Sequence, residues 1–501
     1  MSKKRFGEER AGCLLAFSML VVVATGCTTF EESQSQVEQV VRDWRRPSAR
    51  MDSTDDAASL ANESRASEAS QFESAIARRP VDAYIREALE RNPGIQAAMA
   101  NARAQLERIP QVTSLPDPVL RSVVRPEPIQ TAAGDIYFTL GVSQTFPLLA
   151  KLDRAGNIAA AQTRAALEDL GYKRVRLIAD VERAYWQIYR LDRYLEITRE
   201  NLRVLEDLEG VVETRYEVGK VPQQDLLRTQ TEVAKLRDDE HRINLQRLTA
   251  AAALNQLADQ PSQRDIPTTS PVELGVVRAD VDELVKLAAE NNPELAMLEE
   301  QIQANREKIE LANLGYWPDL TLGFEWNHLD GRGPFIPPVN PITGARPPIN
   351  RKSEAGDDNW AITLQINLPI WTQRIEAARR EARQRFLSAQ RERQDAENMI
   401  AFRIFDAWSR VEAQQHTLRV LGAELIPQSR QTYEVALIAY QSGDTDFVAL
   451  IDHWRRWLDF ELMRHRETVD LEVAFAELQR EVGLQLIRGD VHPQEETGIN
   501  P

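Results

Sequence analysis

Few residues of this 501-residue chain are equipped for covalent chemistry, and the two cysteines are the first to consider. Cys13 lies inside an apolar run, Ala11 to Val23, preceded by the basic head Lys3, Lys4 and Arg5, and this combination has the form of a secretory signal. The run is too short to span a bilayer as a helix, which takes about 20 apolar residues. Small residues Ala24-Thr25-Gly26 lead from it into Cys27, a lipobox at which a lipoprotein signal peptidase would cut and leave Cys27 as a lipid-bearing N-terminus. Thr28 follows where an aspartate would retain a lipoprotein in the inner membrane, so the expected destination is the outer one. With Cys13 removed and Cys27 acylated, no thiol remains for a disulfide, a thiolate metal site or a nucleophile.

Histidine offers no better. His241, His328, His416, His453, His465 and His492 are scattered, with no pair at the i, i+4 spacing of a helical metal site, and no glycine-rich phosphate loop accompanies them. Carboxylates abound but read as the background of charged helices. The expectation is no catalytic site, no metal and no cofactor. A formal net charge of -16 argues against a phosphate-binding surface and hence against nucleic acid as a partner.

The elements that could position anything useful come in two copies. Ala88-Leu89-Glu90-Arg91-Asn92-Pro93 recurs as Ala288-Ala289-Glu290-Asn291-Asn292-Pro293, and Pro118 matches Pro318 at the same offset. Further on, Phe146-Pro147 matches Leu368-Pro369, with the second copy 22 residues longer in between, and Tyr216-Glu-Val-Gly219 matches Tyr440-Gln-Ser-Gly443. Four landmarks in one order define an internal repeat. Each copy reads helix, two strands, very long helix, tight turn, helix.

The first helical stretch runs from Val81 to Val112 with a break at Pro93, and the long helix from Lys151 to Tyr216 contains no proline. At 1.5 Å per residue that helix would reach about 100 Å. Ile178, Val181, Tyr185, Ile188, Leu191 and Leu195 recur along it at spacings of three and four; Thr198 interrupts, and Leu202, Leu205, Leu208 and Val212 resume. Ile404, Trp408, Val411, Leu418 and Leu425 repeat the pattern in the second copy. Such stripes predict coiled-coil packing. The stretch before the strands and the one from Pro222 to Ala258 together match the long helix in length, so two short helices stacked end to end can pair along it. The Gly219 and Gly443 turns would then lie at the tip away from the strands.

No later apolar run approaches 18 residues, so a membrane crossing would have to be made of β-strands. Leu320, Leu322, Phe324 and Trp326 alternate with polar residues or glycine; Trp360, Ile362, Leu364, Ile366 and Leu368 alternate with Ala361, Thr363, Gln365 and Asn367, and in the first copy Ile136, Phe138, Leu140 and Val142 alternate with Tyr137, Thr139, Gly141 and Ser143. The strand after Pro118 is less regular, with Arg121 and Arg125 beside Val119 and Val123. Period-two alternation over about 10 residues marks outer-membrane strands, although a half-buried soluble sheet alternates likewise. Tryptophan favours the membrane: Trp317 and Trp371 stand at the helix-proximal ends and Trp326 and Trp360 at the distal ends, as two girdles would require. Trp317 to Trp326, at about 3.3 Å per residue and tilted about 40°, spans roughly 23 Å, close to the apolar band of such barrels. Four strands cannot close alone. Two chains would give eight strands and a filled interior, three would give twelve and a lumen.

Leu115-Pro116-Asp117-Pro118, Ser143-Gln144-Thr145-Phe146-Pro147, Trp317-Pro318-Asp319-Leu320, Asn367-Leu368-Pro369-Ile370 and the paired Tyr-x-x-Gly turns resemble the TolC-type outer-membrane factor family, from Val81 to Gly483. The first two motifs look more like its heavy-metal efflux branch than its drug branch. The resemblance implies a fold mainly α with β, a homotrimer whose twelve-strand barrel in outer-membrane lipid continues into a periplasmic helical tunnel. It also implies a periplasmic adaptor and an inner-membrane pump as partners, and a passive duct that catalyses nothing. In that family a tyrosine before the second turn and aspartates after both turns close the tunnel mouth; Tyr440, Asp225 and Asp452 match, while Thr445 stands where an arginine is expected and Ala449 where a further aspartate is. The alternative is a lipid-anchored periplasmic coiled-coil structural or adaptor protein without a pore. The expected organisation is a signal peptide at 1–26, an acylated N-terminus and linker at 27–80, the first repeat at 81–260, a connector at 261–280 that adds to a belt around the tunnel, the second repeat at 281–486, and a disordered tail at 487–501.

Overall fold

Proline and asparagine punctuate this chain at equivalent places, and the elements follow from them. A computed structural model describes residues 80–131, 134–269, 280–330, 339–345, 357–484 and 486; the signal segment, Cys27 and the tail lie outside the described residues. The first half comprises α1 (Pro80–Arg91), α2 (Pro93–Leu106), α3 (Arg108–Thr113), β1 (Val119–Gln130), β2 (Asp135–Phe146), α4 (Leu149–Glu217) and α5 (Gln223–Leu257). The second comprises α6 (Val281–Asn291), α7 (Pro293–Asn313), a short 3-10 turn (Leu314–Tyr316), β3 (Leu320–Asp330), β4 (Asn359–Ile366), α8 (Thr372–Val420), a π turn (Leu421–Leu425), α9 (Ile426–Ser442) and α10 (Phe447–Val482). Among the described residues no helix is long and apolar enough to cross a membrane. The fold is mainly helical with one antiparallel sheet among the described residues.

The repeated Asn-Pro pairs act alike. Proline at the first position of α2 and of α7 has no N–H to lose there, and the asparagine before it caps the helix. Asn92 Oδ1 accepts from Gly94 N (2.8 Å) and Ile95 N (3.2 Å), and its Nδ2 donates to the Leu257 carbonyl (2.9 Å) at the end of α5. Asn292 Oδ1 accepts from Glu294 N (2.8 Å), and its Nδ2 donates to the Glu481 carbonyl (2.6 Å) near the end of α10. Each half is thus stitched, first helix to last, by one asparagine.

The contacts divide the chain into two compact units, each drawing on both halves. The first contains residues 103–164 and 300–390 and holds the sheet, in the order β1-β2-β3-β4. The second contains the described residues of 50–102, 165–299 and 391–501 and is helical. Its stripes are where the sequence put them: Val181, Tyr185, Ile188, Leu191, Leu195, Leu205, Leu208 and Val212 are buried along α4. Thr198, which breaks the apolar line, is also buried, so the packing seam continues through it. Leu205, Leu208 and Val212 pack with Val233 and Leu236 of α5 and with Tyr433, Leu450 and Trp454 of α9 and α10. Ile404 and Val411 of α8 pack with Leu284, Phe475 and Leu478. At Pro427 the missing N–H would break an α-helix, and the π turn just before it absorbs the defect.

One group in this helical core is out of place at low pH. His465 lies 6.4 Å, ring to ring, from Tyr189, and its Nδ1 has no hydrogen-bond partner among the described residues. Burial, with Arg464 and Arg193 adding repulsion, pulls its pKa down to about 4. A depressed imidazole favours the fold above its unfolded value of about 6.5, and that contribution is lost as pH falls toward 4. His465→Gln should therefore lose less thermal stability than the parent between pH 6.5 and 4, a difference measurable by circular dichroism melts.

Candidate functional site

Strand register decides which side chains share a face of the sheet. Val142 pairs with Phe324, and Phe324 with Ile362; Leu140 pairs with Trp326, and Trp326 with Trp360. Leu120 opposite Val142 and Val124 opposite Phe138 extend this face onto β1. The result is one apolar surface across all four strands, and it is uncovered: Leu120, Val124, Phe324, Trp360, Ile362 and Leu364 are all exposed, Ile362 at 70%. β1 is as irregular as its sequence suggested: Arg121 and Arg125 fall together on the opposite face, but Val119 and Val123 share it, and the ladder shifts between Val124 and Ile129.

That opposite face is polar and cross-linked. Arg125 Nη1 donates to Thr139 Oγ1 (2.8 Å), Thr139 Oγ1 donates to Asn327 Oδ1 (2.6 Å), and Asn327 Nδ2 donates to Asn359 Oδ1 (2.8 Å). One hydrogen-bonded row therefore runs through β1, β2, β3 and β4. Where the strands meet the helices, Asp319 accepts from Lys151 Nζ (2.8 Å), which also donates to the Trp317 carbonyl (2.8 Å). Trp317 and Trp371 flank this junction, both exposed, and Trp326 and Trp360 face each other in register toward the far end.

The helical unit carries the other candidate residues at its two turns. Gly219 (φ +71) and Gly443 (φ +90) occupy the left-handed region that a Cβ disfavours. Each closes its helix in the same way, with Gly219 N donating to the Tyr216 carbonyl (2.9 Å) and Gly443 N to the Tyr440 carbonyl (3.2 Å). Tyr440 is buried, its ring against Phe447 at 5.7 Å. Arg215, next to the first turn, reaches the second: its guanidinium carbon lies 5.1 Å from the centre of the Tyr440 ring and its Nη1 donates to the Tyr440 carbonyl (2.8 Å). Burial raises the Tyr440 pKa, with the charge of Asp225 adding to the shift. Burial also raises that of Asp225, opposed by Arg228 and reinforced by Asp446.

The structure thus brings together Tyr440 and Asp225, and adds Arg215 and Asp446, which their sequence context does not single out. Asp446 caps α10 by accepting from Ala449 N (2.8 Å). Asp452 lies elsewhere, exposed on α10, with Arg455 at 3.6 Å; Arg455 also pairs with Glu232. Arg215 immediately precedes Tyr216 of the first turn motif, but only the three-dimensional contact shows that it serves the second turn. Among the described residues no group of three or more His, Cys, Asp or Glu side chains could hold a metal ion.

Residues 84–259 and 284–459, well over half of the chain, match the outer membrane efflux protein family. The chain belongs to that family. The two matched segments are the two halves of the repeat, each ending beyond its turn. Among solved structures, this efflux-family chain superposes on the outer-membrane channel OprN with a TM-score of 0.66 at 20% identity, covering 80% of this chain and 89% of that one. VceC from Vibrio cholerae gives 0.66 at 19% identity, covering 80% and 96%. At these identities the likeness speaks for the fold. Toxin and drug export protein A of Aggregatibacter actinomycetemcomitans is 23% identical over 190 residues, 38% of this chain and 42% of that protein, so the alignment spans less than half of the relative.

Proposed function

We propose that three copies of this chain close into a twelve-strand barrel in the outer membrane, continuous with a periplasmic helical tunnel, and form the exit duct of a tripartite efflux or secretion system. The sheet carries the proposal. It has one uncovered apolar face, one polar face, and two edge strands, β1 and β4, with no further strand beside them among the described residues. In lipid an open edge leaves backbone groups without partners, so β4 of one copy must meet β1 of the next. The row from Arg125 to Asn359 wants water beside it, which twelve strands enclose and eight do not.

In this reading Trp317 and Trp371 form one girdle, Trp326 and Trp360 the other. Residues 1–26 are removed and Cys27 is acylated, a secondary anchor, with 27–80 as linker. A periplasmic adaptor and an inner-membrane pump supply selection and energy, so the duct needs no cofactor and catalyses nothing. The decisive experiment is electrophoresis of outer-membrane extracts with and without heating: a heat-modifiable oligomer of three chains supports the duct, and a soluble monomer sinks it. A Cys27→Ala variant carrying a cleavable signal should still insert and conduct.

The turns form the periplasmic mouth in the same proposal. Asp225 beside Tyr440, with Arg215 clamping the second turn, would hold the mouth shut, and Asp452 would add charge further along α10. The double variant Asp225→Ala/Asp452→Ala is expected to raise resting conductance in planar bilayers severalfold. Unchanged conductance would remove both residues from the gate.

A further inference from the structure

The membrane-proximal start of α8 is locally basic in an acidic chain. From Thr372 to Gln390 it carries Arg374, Arg379, Arg380, Arg383 and Arg385 against Glu376 and Glu381 alone. Both carboxylates are already engaged one turn along their own helix, Glu376 with Arg380 at 3.7 Å and Glu381 with Arg385 at 2.8 Å. Arg374, Arg379 and Arg383 are left without a carboxylate among the described residues.

Two of these three stand beside the residues that end the apolar face of the sheet. Arg374 follows Trp371 by one turn, its N–H donating to the Trp371 carbonyl at 3.1 Å, and both side chains are exposed. Arg379 lies over the ring of Tyr316, 5.8 Å from its centre, and Tyr316 immediately precedes Trp317. The Nε of Arg379 is buried without a hydrogen-bond partner among the described residues, and its guanidinium is held against the Tyr316 ring with no carboxylate paired to it. Along the helix Arg374 lies about 5 Å and Arg379 about 12 Å past Trp371, whereas Arg383 lies about 18 Å past it. Tryptophan collars sit at the edge of the hydrocarbon, where the next chemistry outward is lipid phosphate.

We infer that Arg374 and Arg379, with Trp371 and Tyr316, bind the headgroup of an anionic phospholipid in the periplasmic leaflet. The inference rests on the barrel reading of the sheet. Charge complementarity selects the occupant: guanidinium groups without carboxylates, continuous with an exposed apolar surface, fit a ligand that is apolar at one end and a phosphate at the other. A zwitterionic headgroup carries its own cation and would compete less well for them.

The test uses the full-length protein reconstituted into vesicles of phosphatidylethanolamine containing a minor fraction of phosphatidylglycerol. Flotation first shows whether the protein is membrane-embedded; failure to float overturns both the barrel reading and this site. Floated protein is then released in mild detergent, and bound lipid is measured by native mass spectrometry. Phosphatidylglycerol should be enriched over its share of the vesicle. Arg374→Gln with Arg379→Gln should reduce that enrichment by about fivefold or more. Arg374→Lys with Arg379→Lys, which keeps the charge, should retain most of it, and Arg383→Gln, which removes the same charge further along α8, should leave it unchanged. Inorganic phosphate at millimolar concentration should not displace the lipid, since it lacks the apolar end. Floating protein without phosphatidylglycerol enrichment, or equal loss in the Arg383→Gln variant, would overturn the site while leaving the barrel standing. Displacement by free phosphate would assign the arginines to a soluble anion and overturn the lipid assignment.

Discussion

Ile362→Arg is expected to block membrane assembly, while Ala361→Arg, one residue away, is expected to be tolerated. Ile362 sits in the middle of β4 on the uncovered apolar face, opposite Phe324, which is itself opposite Val142. An arginine on the lipid face near the bilayer midplane costs about 2–4 kcal/mol in a barrel. In the proposed trimer three copies would multiply that cost, because closure would place the same residue three times around one ring. Ala361 points to the other face and lies opposite Glu325, so an arginine there meets a carboxylate and water. Quantifying heat-modifiable oligomer in outer-membrane fractions of the two variants separates the alternatives. Equal assembly of both would mean that the apolar face does not meet lipid, and the pore-free coiled-coil reading would return.

This contrast depends on a period of two, and a period of two is legible in the amino-acid sequence alone. From Leu320 to Asn327 of β3 and along most of β4 the residues declare their face by type, and the register of Trp326 with Trp360 shows that the two strands declare the same one. The long helix α4 is legible for a similar local reason, since no proline lies between Lys151 and Tyr216. β1 is harder because Ser122 sits among its apolar residues and the ladder shifts between Val124 and Ile129, so alternation is not sustained long enough to assign a face. The turns are legible as glycines but not as a cluster. Arg215 and Tyr440 are far apart in sequence, and their meeting depends on how α4 packs against α9, which no local pattern encodes. Asp446 is hidden behind a more familiar role, since an aspartate at a helix start reads as a cap and is one.

The least legible feature is the anchoring of the connector, and it supports the prediction with the largest effect on stability. Asp192, in the middle of α4, would be read from sequence as one more solvated charge on a long helix. Its side chain is instead 2% exposed. It accepts from Arg247 Nε of α5 at 2.6 Å, and from the backbone N–H and hydroxyl of Thr269 at 2.8 and 2.9 Å. Arg247 also donates to the Ile266 carbonyl (2.8 Å), Arg193 to the Thr269 carbonyl (3.0 Å), and Asn255 to the Arg264 carbonyl (2.8 Å). The described part of the connector is therefore fastened to α4 and α5 through a single buried carboxylate and its neighbours. Asp192→Ala would leave the partly buried Arg247 guanidinium and the Thr269 N–H with their shared acceptor gone. Breaking a buried pair in this way costs about 3–5 kcal/mol. Asp192→Asn, which keeps an acceptor but not the charge, should cost less. Replacing Asp192 and Arg247 together by leucine and methionine should recover part of the loss, because no unpaired charge then remains. Denaturant titrations of the three variants give the ordering, and limited proteolysis tests its location: in Asp192→Ala, cleavage should appear first between Gln260 and Thr269. If Asp192→Ala proved as stable as the parent and as resistant there, the connector would be held by the bonds of Arg193, Arg247 and Asn255 to its carbonyls and by the burial of Ile266, and the Asp192 carboxylate would be incidental to the fold.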